Sequence, residues 1–364
     1  MTLWRYLLKA FIKTVLMVFI VLSLVVMLFA LVENLRRFGD EGVGAGAIFQ
    51  ATLIQVPETM YQVFPLVLLL GSMLMFLRFS RSSELVVMRA SGVSALRLVG
   101  IPVLASIILG ILFIVAVNPF VAATMRQSQE LEDSFRGESS SMLSFSKDGL
   151  WLRQSDAEGQ TVIQAARTNA SGTILADLRM HRFNENGEIY ARVESPFATL
   201  LNGTWEMRTA HVWELQPDGV FKLTQERGGY RLDTDLTQEQ ILDSFAPPEM
   251  INFWQLGMFI QQIEQSGFSG LRHRLYLQTE LAKPALFAAM VLIGSAFALR
   301  PSRFGQTGVM MLFAILAGFS LYFLKDFAET LGAQGQVPLF VAAWTPQVAA
   351  ILLATGLLLH LEDG

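Results

Sequence analysis

The stretch RFSRSSELVVMRASGVSALR, residues 78–97, is a charged interruption between two long apolar runs, and it decides how the chain is organised. The run Ser82-Ser83-Glu84 is typical of a helix start. Hydroxyl oxygens accept hydrogen bonds from free backbone N–H groups, and a carboxylate is favoured near the positive end of the helix dipole. The dipeptide Ser91-Gly92 is a stop signal. The apolar side of the short helix between these signals consists of Leu85, Val86, Met88 and Ala90.

This short helix is predicted to join two membrane spans at the cytoplasmic surface, and two interpretations of it remain open. In the first, it is a solvated turn whose arginines anchor the edge of the bilayer. In the second, it is a docking surface for a cytoplasmic partner.

The composition indicates a membrane protein. Of 364 residues, 52% are hydrophobic and only 16% are charged, which is too apolar for an ordinary soluble protein. The sequence has no cysteine, so disulfides, thiolate metal sites and cysteine nucleophiles are excluded. The net charge of −4 gives no argument for binding to nucleic acid.

Six apolar runs are predicted to cross the membrane as helices. The first, 14–32, would extend about 28 Å as a helix, close to the thickness of the hydrocarbon core. In the third, Asn118 and Pro119 are expected to break or bend the helix near its far end. The runs are 14–32, 59–77, 98–125, 284–299 with a helix start near Leu275, 304–324 and 339–359.

Between the third and fourth runs the chain becomes polar, from Arg126 to about Gly270. Short β-rich segments alternate there with Asx-Gly turn signals, which predicts an antiparallel sandwich or jelly-roll. The predicted segments are 149–153, 161–165, 188–193, 204–215 and 220–223. The turn signals include Asp148-Gly149, Asn186-Gly187, Asn202-Gly203 and Asp218-Gly219.

The sequence therefore predicts an α-helical membrane protein with six transmembrane helices, three before and three after an inserted antiparallel β-jelly-roll domain. The predicted boundaries are 1–125 for helices one to three with the short surface helix at 82–92, 126–250 for the jelly-roll, 251–274 for an amphipathic connecting helix, and 275–364 for helices four to six.

The distribution of lysine and arginine in the short loops predicts the orientation. One side is rich in basic residues and is expected to be cytoplasmic, with both termini. The other side, which carries the β domain, has fewer basic residues and more acidic ones. The basic side contains Arg5, Lys9, Lys13, Arg78, Arg81, Arg89, Arg97, Arg300 and Arg303; the other side contains Arg36, Arg37 and Lys325 with Glu33, Asp40, Glu41, Asp326 and Glu329.

No catalytic motif is visible in the sequence. A phosphate-binding GxxxxGK[ST] loop, HExxH, GxSxG and a dinucleotide fingerprint are all absent, so an enzyme is the least favoured class. The four histidines are far apart in sequence, which argues against a metal site. Any work that consumes energy therefore needs a partner that hydrolyses nucleotide.

Basic residues near the outer ends of the spans allow two interpretations. Isolated charges there usually extend towards lipid head groups. Alternatively, they form a basic rim that receives a phosphorylated amphiphile, because the planar guanidinium pairs with phosphate through two hydrogen bonds. The residues are Arg36, Arg37, Arg126, Lys283 and Lys325. Small residues of the fifth span, Gly308, Ala314, Ala317 and Gly318, allow close helix packing, within the chain or with another subunit.

Three stretches, together with the three-plus-three layout, resemble the LptF/LptG permeases of the lipopolysaccharide export ABC transporter, and the resemblance covers the whole length. The most specific is RSSELVVMRASG at 81–92, similar to the loop that contacts the ATPase in that family. LSFSKDGLWLR at 143–153 and GFSLYFLKDFAETLG at 318–332 look more like LptG-type than LptF-type members. The alternatives are the sister LptF-type subunit, or a membrane scaffold with a protein-binding β domain and no transport.

The resemblance implies a mechanism and a set of partners. A pair of permeases, LptF and LptG, encloses a cavity open to the outer leaflet of the Gram-negative inner membrane, with an LptB ATPase dimer below. ATP and Mg are bound by LptB, and this chain has no cofactor. Closure of the cavity moves lipopolysaccharide into the periplasmic β domains and on to LptC and LptA.

The resemblance also implies roles for individual residues. An ATPase-docking coupling helix would use Glu84, Leu85, Met88 and Arg89, and lipid phosphates would meet Arg36, Arg37 and Arg126. A further basic residue of the family's first span corresponds to Ala30 here, a departure from the family pattern. Contact with the single LptC helix is assigned to Gly308, Ala314 and Gly318.

Overall fold

The computed structural model describes most of the chain, in two compact units. The described residues are 2–39, 43–136, 143–146, 149–156, 159–169, 173–184, 187–201, 203–216, 219–234, 247–265, 269–299 and 307–363. Several residues used in the sequence analysis lie outside them, namely Asp40, Glu41, Asp148, Asn186, Asn202, Asp218, Arg300 and Arg303.

The membrane unit contains, among the described residues, six helices long and apolar enough to span a bilayer, which confirms the predicted spans. The helices extend beyond the apolar runs, because polar residues at both ends continue the helical backbone into the interface. α1 and α2 are each 37 residues long, or about 55 Å. The spans are α1 (Thr2–Phe38), α2 (Ala45–Arg81), a third span made of α4 (Ala95–Leu112), a π-helical segment (Phe113–Val117) and α5 (Asn118–Arg136), then α7 (Leu271–Ala298), α8 (Thr307–Ala333) and α9 (Leu339–Asp363).

The third span does not break at Asn118-Pro119, contrary to one of the two outcomes expected from the sequence. Pro119 has no N–H and cannot bond the carbonyl four residues earlier, on Val115. The backbone accommodates this by adopting the π-helical segment immediately before Asn118. The carbonyl of Val115 instead accepts a hydrogen bond from the indole Nε1 of Trp254, at 3.3 Å.

α7 is the central helix of the membrane unit. Its residues from Leu286 to Ala296 are buried in one uninterrupted run. Glycines bring the neighbouring helices very close to it. A Cβ atom on Gly110 of α4 would lie 2.5 Å from the Cα of Pro284, and one on Gly294 would lie 2.5 Å from the carbonyl oxygen of Leu69 in α2.

The β unit is an antiparallel sheet, as predicted. Its seven described strands form one sheet in the order β1 to β7, so each strand pairs with its neighbours in sequence, and the arrangement is a meander without Greek-key crossings among these strands. Gly187, Gly203 and Gly219 adopt positive φ and confirm three of the predicted turns. The strands are β1 (Leu143–Ser146), β2 (Gly149–Asp156), β3 (Gly159–Thr168), β4 (Ile174–Phe183), β5 (Ile189–Leu201), β6 (Thr204–Leu215) and β7 (Phe221–Asp233).

One face of the sheet carries an apolar core centred on Trp205, which is fully buried. The predicted connecting helix is present as α6 (Phe253–Gln265), preceded by a 3₁₀ turn at Pro248–Met250. Ile263 of α6 belongs to the apolar core, and Phe259 packs against it. The amphipathic pattern of α6 is therefore explained by packing on the sheet.

Candidate functional site

The short surface helix predicted at 82–92 is present as α3 (Glu84–Ala90). It begins differently from the prediction, because Ser83 adopts a left-handed conformation with φ of 59° and its side chain makes no cap. Ser82 instead donates a hydrogen bond from Oγ to Oε1 of Glu84, at 2.9 Å. Gly92, with φ of 85°, ends the turn as predicted.

The Glu84 carboxylate is held by two hydroxyl groups of the chain itself. The hydroxyl of Tyr6 in α1 donates to Oε2 at 2.6 Å, and Ser82 donates to the other oxygen. These two bonds, chiefly the one from Tyr6, hold the pKa of the Glu84 carboxyl below its ordinary value. Because this pKa is lowered, their stabilising effect is complete above the ordinary carboxyl pKa and is lost as the pH falls through the lowered value. At neutral pH Glu84 therefore carries its full charge.

The apolar residues of α3 divide into two sets. Leu85 and Met88 are buried within the chain, so they attach α3 to the membrane unit. Val86 and Val87 are 66% and 67% exposed. Arg89 is partly exposed, and its Nε has no hydrogen-bond partner among the residues that the structure describes. The surface available to a partner thus includes Glu84, Val86, Val87 and Arg89. The prediction that Val86 shares one apolar side with Leu85 and Met88 is wrong, because Val86 is exposed whereas the other two are buried.

Of the basic residues predicted near the outer ends of the spans, the three arginines are exposed, whereas the side chains of Lys283 and Lys325 are only 11% and 13% exposed. Arg36 and Arg37 lie in the last turn of α1, and Arg126 lies on α5. Arg37 approaches Glu132 of α5, with 3.5 Å between Nη1 and Oε2. Because Glu132 is about 9 Å along α5 from Arg126, the ends of α1 and α5 present their basic groups in one region. The acidic partner was not foreseen from sequence.

An apolar cavity of about 650 Å³ lies between α1, α2 and the third span. Its size is within the range of small-molecule sites, and apolar side chains dominate its wall. Residues that line it include Phe11, Phe19, Tyr61, Phe64, Phe113 and Val117.

A buried polar cluster adjoins this cavity, and sequence reasoning missed it. The sequence predicts that Lys283 of α7 is a charge near the membrane surface. In the structure its Nζ lies 2.6 Å from Oε1 of Glu280, and the Lys283 side chain is only 11% exposed. The signal that could have found the cluster is the Glu280/Lys283 spacing of three residues inside an apolar helix. Tyr61, Asn118 and Tyr276 complete the cluster.

Comparison with known proteins assigns the family. A sequence profile described as "Lipopolysaccharide export system permease LptF/LptG" matches residues 5–360. The chain belongs to the LptF/LptG permease family. The Lipopolysaccharide export system permease protein LptG of Escherichia coli K12 is 25% identical over 98% of this chain and 97% of its own length. The protein of that name from Haemophilus influenzae is 21% identical over 100% and 99% of the two chains.

Membership of the LptF/LptG family identifies this chain as a multi-pass inner-membrane permease of the lipopolysaccharide export system. The family is one of permeases rather than enzymes. Among the residues that the structure describes, no group of histidine and carboxylate side chains could hold a metal ion.

The small residues of α8 are mostly used inside the chain. Ala314 is fully buried, and a Cβ on Gly318 would lie 2.4 Å from Leu69 of α2. Gly308 faces open space. Contact between α8 and a partner helix stays a prediction. The exposed face of α8, formed by Leu312, Phe313, Leu316 and Phe319, offers a partner helix more surface than Ala314 or Gly318 does.

Proposed function

We propose that this chain is the LptG-type permease subunit of the ABC transporter that takes lipopolysaccharide from the outer leaflet of the inner membrane. The observation that carries this proposal is the match along almost the full chain to relatives named LptG. The apolar cavity and the exposed arginines at the ends of α1 and α5 support it, since a phosphorylated lipid needs both kinds of surface.

The orientation in this proposal follows from the basic residues. The N-terminus and α3 are cytoplasmic, where Arg78, Arg81, Arg89 and Arg97 cluster within one short connection. The C-terminus is on the same side because the chain crosses the membrane an even number of times. The β unit then lies in the periplasm, where it receives lipid from the membrane unit.

Extraction of the lipid requires an external source of energy. Burial of each methylene group is worth about 0.8 kcal/mol, so several acyl chains together hold the lipid in the bilayer by tens of kcal/mol. In the proposed complex, ATP and Mg are bound by two copies of the ATPase LptB, and this chain itself binds no cofactor. The other partners are the second permease LptF, the bridge protein LptC and, beyond it, LptA.

α3 is the proposed contact with the ATPase. The ionised Glu84 and the exposed Val86 and Val87 offer a charge beside an apolar contact, a usual combination at protein interfaces. Leu85 and Met88 fasten α3 to the membrane unit, so that motion of the ATPase is transmitted to the spans. Because Glu84 is ionised throughout the neutral range, ATPase binding through it is independent of pH there.

Arg36, Arg37 and Arg126 are the proposed contacts for the lipid phosphates. Replacing Arg36→Glu and Arg37→Glu together is expected to weaken lipopolysaccharide retention by more than about tenfold, since even one hydrogen bond to a charged group contributes about 1.5–3 kcal/mol. The quantity to measure is the amount of lipid per purified complex during stepwise detergent washing.

The matched control for this double variant is Arg208→Glu with Lys222→Glu, the same charge change on exposed residues of the β unit. Equal lipid retention in the two double variants would show that Arg36 and Arg37 do not bind the lipid phosphates.

The proposed function as a whole is tested by native mass spectrometry of the chain gently extracted from its own membrane. The expected complex contains one copy of this chain, a second six-span permease, two ATPase subunits and a mass the size of lipopolysaccharide. A lone chain, or one bound only to periplasmic protein, would favour the scaffold alternative.

A further inference from the structure

The buried cluster around Glu280 and Lys283 has no role in the proposed transport mechanism so far. Glu280 is 1% exposed, and both residues lie within the span formed by α7. Charged side chains inside a membrane span are costly, and they are found mainly where they have a function. A buried ion pair also contributes little to folding stability, because a protein with a well-packed apolar pair of similar volume in its place is often as stable. Simple stabilisation therefore does not account for the pair.

Both oxygens of the Glu280 carboxylate accept a hydrogen bond within the cluster. The Lys283 ammonium donates to Oε1 at 2.6 Å, and the hydroxyl of Tyr61 donates to Oε2 at 2.5 Å. The Lys283 ammonium also lies 3.5 Å from the centre of the Tyr61 ring, which adds a cation–π contact. Tyr61 of α2 is thus held by α7 through both its ring and its hydroxyl.

The cluster extends from Tyr61 to the third span through Asn118. The Asn118 Nδ2 donates to the hydroxyls of Tyr61 and Tyr276, at 3.4 and 3.1 Å. Its Oδ1 accepts a hydrogen bond from the backbone N–H of Phe253, at 2.9 Å. Asn118 is 2% exposed and is the first residue after the π-helical segment. Two hydrogen bonds in series, from Tyr61 to Glu280 and from Asn118 to Tyr61, therefore connect the buried ion pair to the point where that segment ends.

The π-helical segment and Tyr61 both face the apolar cavity. Phe113 and Val117 line the cavity with Tyr61. The Phe113 ring stacks on the Tyr61 ring, with 5.5 Å between the ring centroids, and its centroid lies 4.2 Å from that of the Phe64 ring. A π-helical turn is a less common alternative to an α-helical one, it occurs often at functional sites, and converting between the two changes the residue register of the helix. Such a conversion would move Phe113 and Val117 relative to the cavity.

We propose that Glu280 and Lys283 are positioning residues for transport: through Tyr61 and Asn118 they hold the π-helical segment in the conformation that keeps the cavity open. When the ATPase closes, this contact is released, and the segment narrows the cavity. The inference rests on the proposed function, because it assigns the cluster a role in the transport cycle.

The test uses Tyr61→Phe, which keeps the ring contacts with Phe113 and Lys283 and removes the hydroxyl. Because this chain has no cysteine, Val117→Cys gives it a single reporter in the cavity wall, and labelling is measured on this chain after the subunits are separated. In the assembled transporter the rate at which a lipid-soluble maleimide labels the reporter is measured, and labelling is expected to be slower when a non-hydrolysable ATP analogue is added. With Tyr61→Phe, the reaction is expected to be slow already without nucleotide, by about tenfold, the usual scale for losing a hydrogen bond to a charged group.

A second variant guards against a folding defect. Glu280→Gln with Lys283→Gln removes both charges together, so that neither is left buried alone, and it is expected to slow labelling in the same way. The control is Thr279→Val, on the same helix α7 as Glu280 and Lys283. It removes the 3.1 Å hydrogen bond from the Thr279 hydroxyl to Glu329 of α8 and leaves the cluster intact. It is expected to label like the parent chain.

Labelling of both cluster variants at the parental rate would overturn the inference. Loss of assembly in both would also overturn it, because the cluster would then be only structural. Failure of the proposed function is distinguishable, since in that case the parent transporter with intact Tyr61 would show no ATP-dependent release of lipopolysaccharide.

Discussion

Gly294→Val is expected to force α2 and α7 apart and to lower the thermal stability of the membrane unit. A Cβ at this position would lie 2.5 Å from the carbonyl oxygen of Leu69 and 2.5 Å from Oγ of Ser72. A backbone carbonyl cannot move aside as the end of a flexible side chain can, so α2 and α7 must separate. Overpacking of a tight core costs about 1–3 kcal/mol of folding stability. Valine adds two methyl groups beyond the clashing Cβ, so the cost of this substitution is expected at or above the upper end of that range. The measurement is thermal unfolding of the purified chain in detergent.

Gly356→Val in α9 is the matched control. A Cβ at Gly356 meets no atom within 4 Å, so the variant has the same change of helix propensity without the steric clash. Equal melting temperatures for the two variants would show that α2 and α7 do not approach each other as closely as described.

Glu84→Lys is expected to abolish ATPase binding and, with it, lipopolysaccharide export. The carboxylate is ionised and lies on the surface of α3, so charge reversal places a cation where the partner meets an anion. Breaking a close charge pair at an interface costs about 2–5 kcal/mol, which corresponds to at least about thirtyfold weaker binding. Co-purification of the ATPase with the variant is the measurement, with the melting temperature showing that the chain still folds.

Two further variants separate charge from position. Tyr6→Phe leaves the Glu84 charge and removes the bond that orients it, so a smaller loss of ATPase binding is expected. Glu188→Lys, on the exposed edge of a turn in the β unit, is the control for net charge. Normal ATPase co-purification with Glu84→Lys would restore the interpretation of α3 as a solvated turn.

The spans and the β unit could be predicted because their signals are local in sequence. Uncharged runs indicate membrane helices wherever they occur, and glycines such as Gly187, Gly203 and Gly219 mark turns that need positive φ. β1 and β4 were missed. In β4 the alternation that begins at Leu178 is out of step with Leu175, because Asp177 interrupts the strand with φ of 52°. Pairing with β3 and β5 decides its structure.

The buried cluster could not be predicted in the same way, because its members are distant in sequence. Tyr61 and Glu280 are 219 positions apart, and Tyr61 and Asn118 are 57 apart. Nothing in the sequence pairs Tyr61 or Asn118 with Glu280, and Lys283 alone indicates a charge at the membrane surface. The division of α3 into buried Leu85 and Met88 and exposed Val86 and Val87 likewise depends on how the helix packs, which its short sequence does not determine.

The central claim is that this chain moves lipopolysaccharide as part of an ATP-driven complex. The most direct test is reconstitution of the complex isolated with this chain into liposomes loaded with lipopolysaccharide, followed by measurement of lipid transfer to a soluble periplasmic acceptor. Transfer that requires ATP and disappears with Glu84→Lys is the predicted result. Lipid transfer at the same rate without ATP, or none from the parental complex, would contradict the assignment of this chain as a lipopolysaccharide export permease.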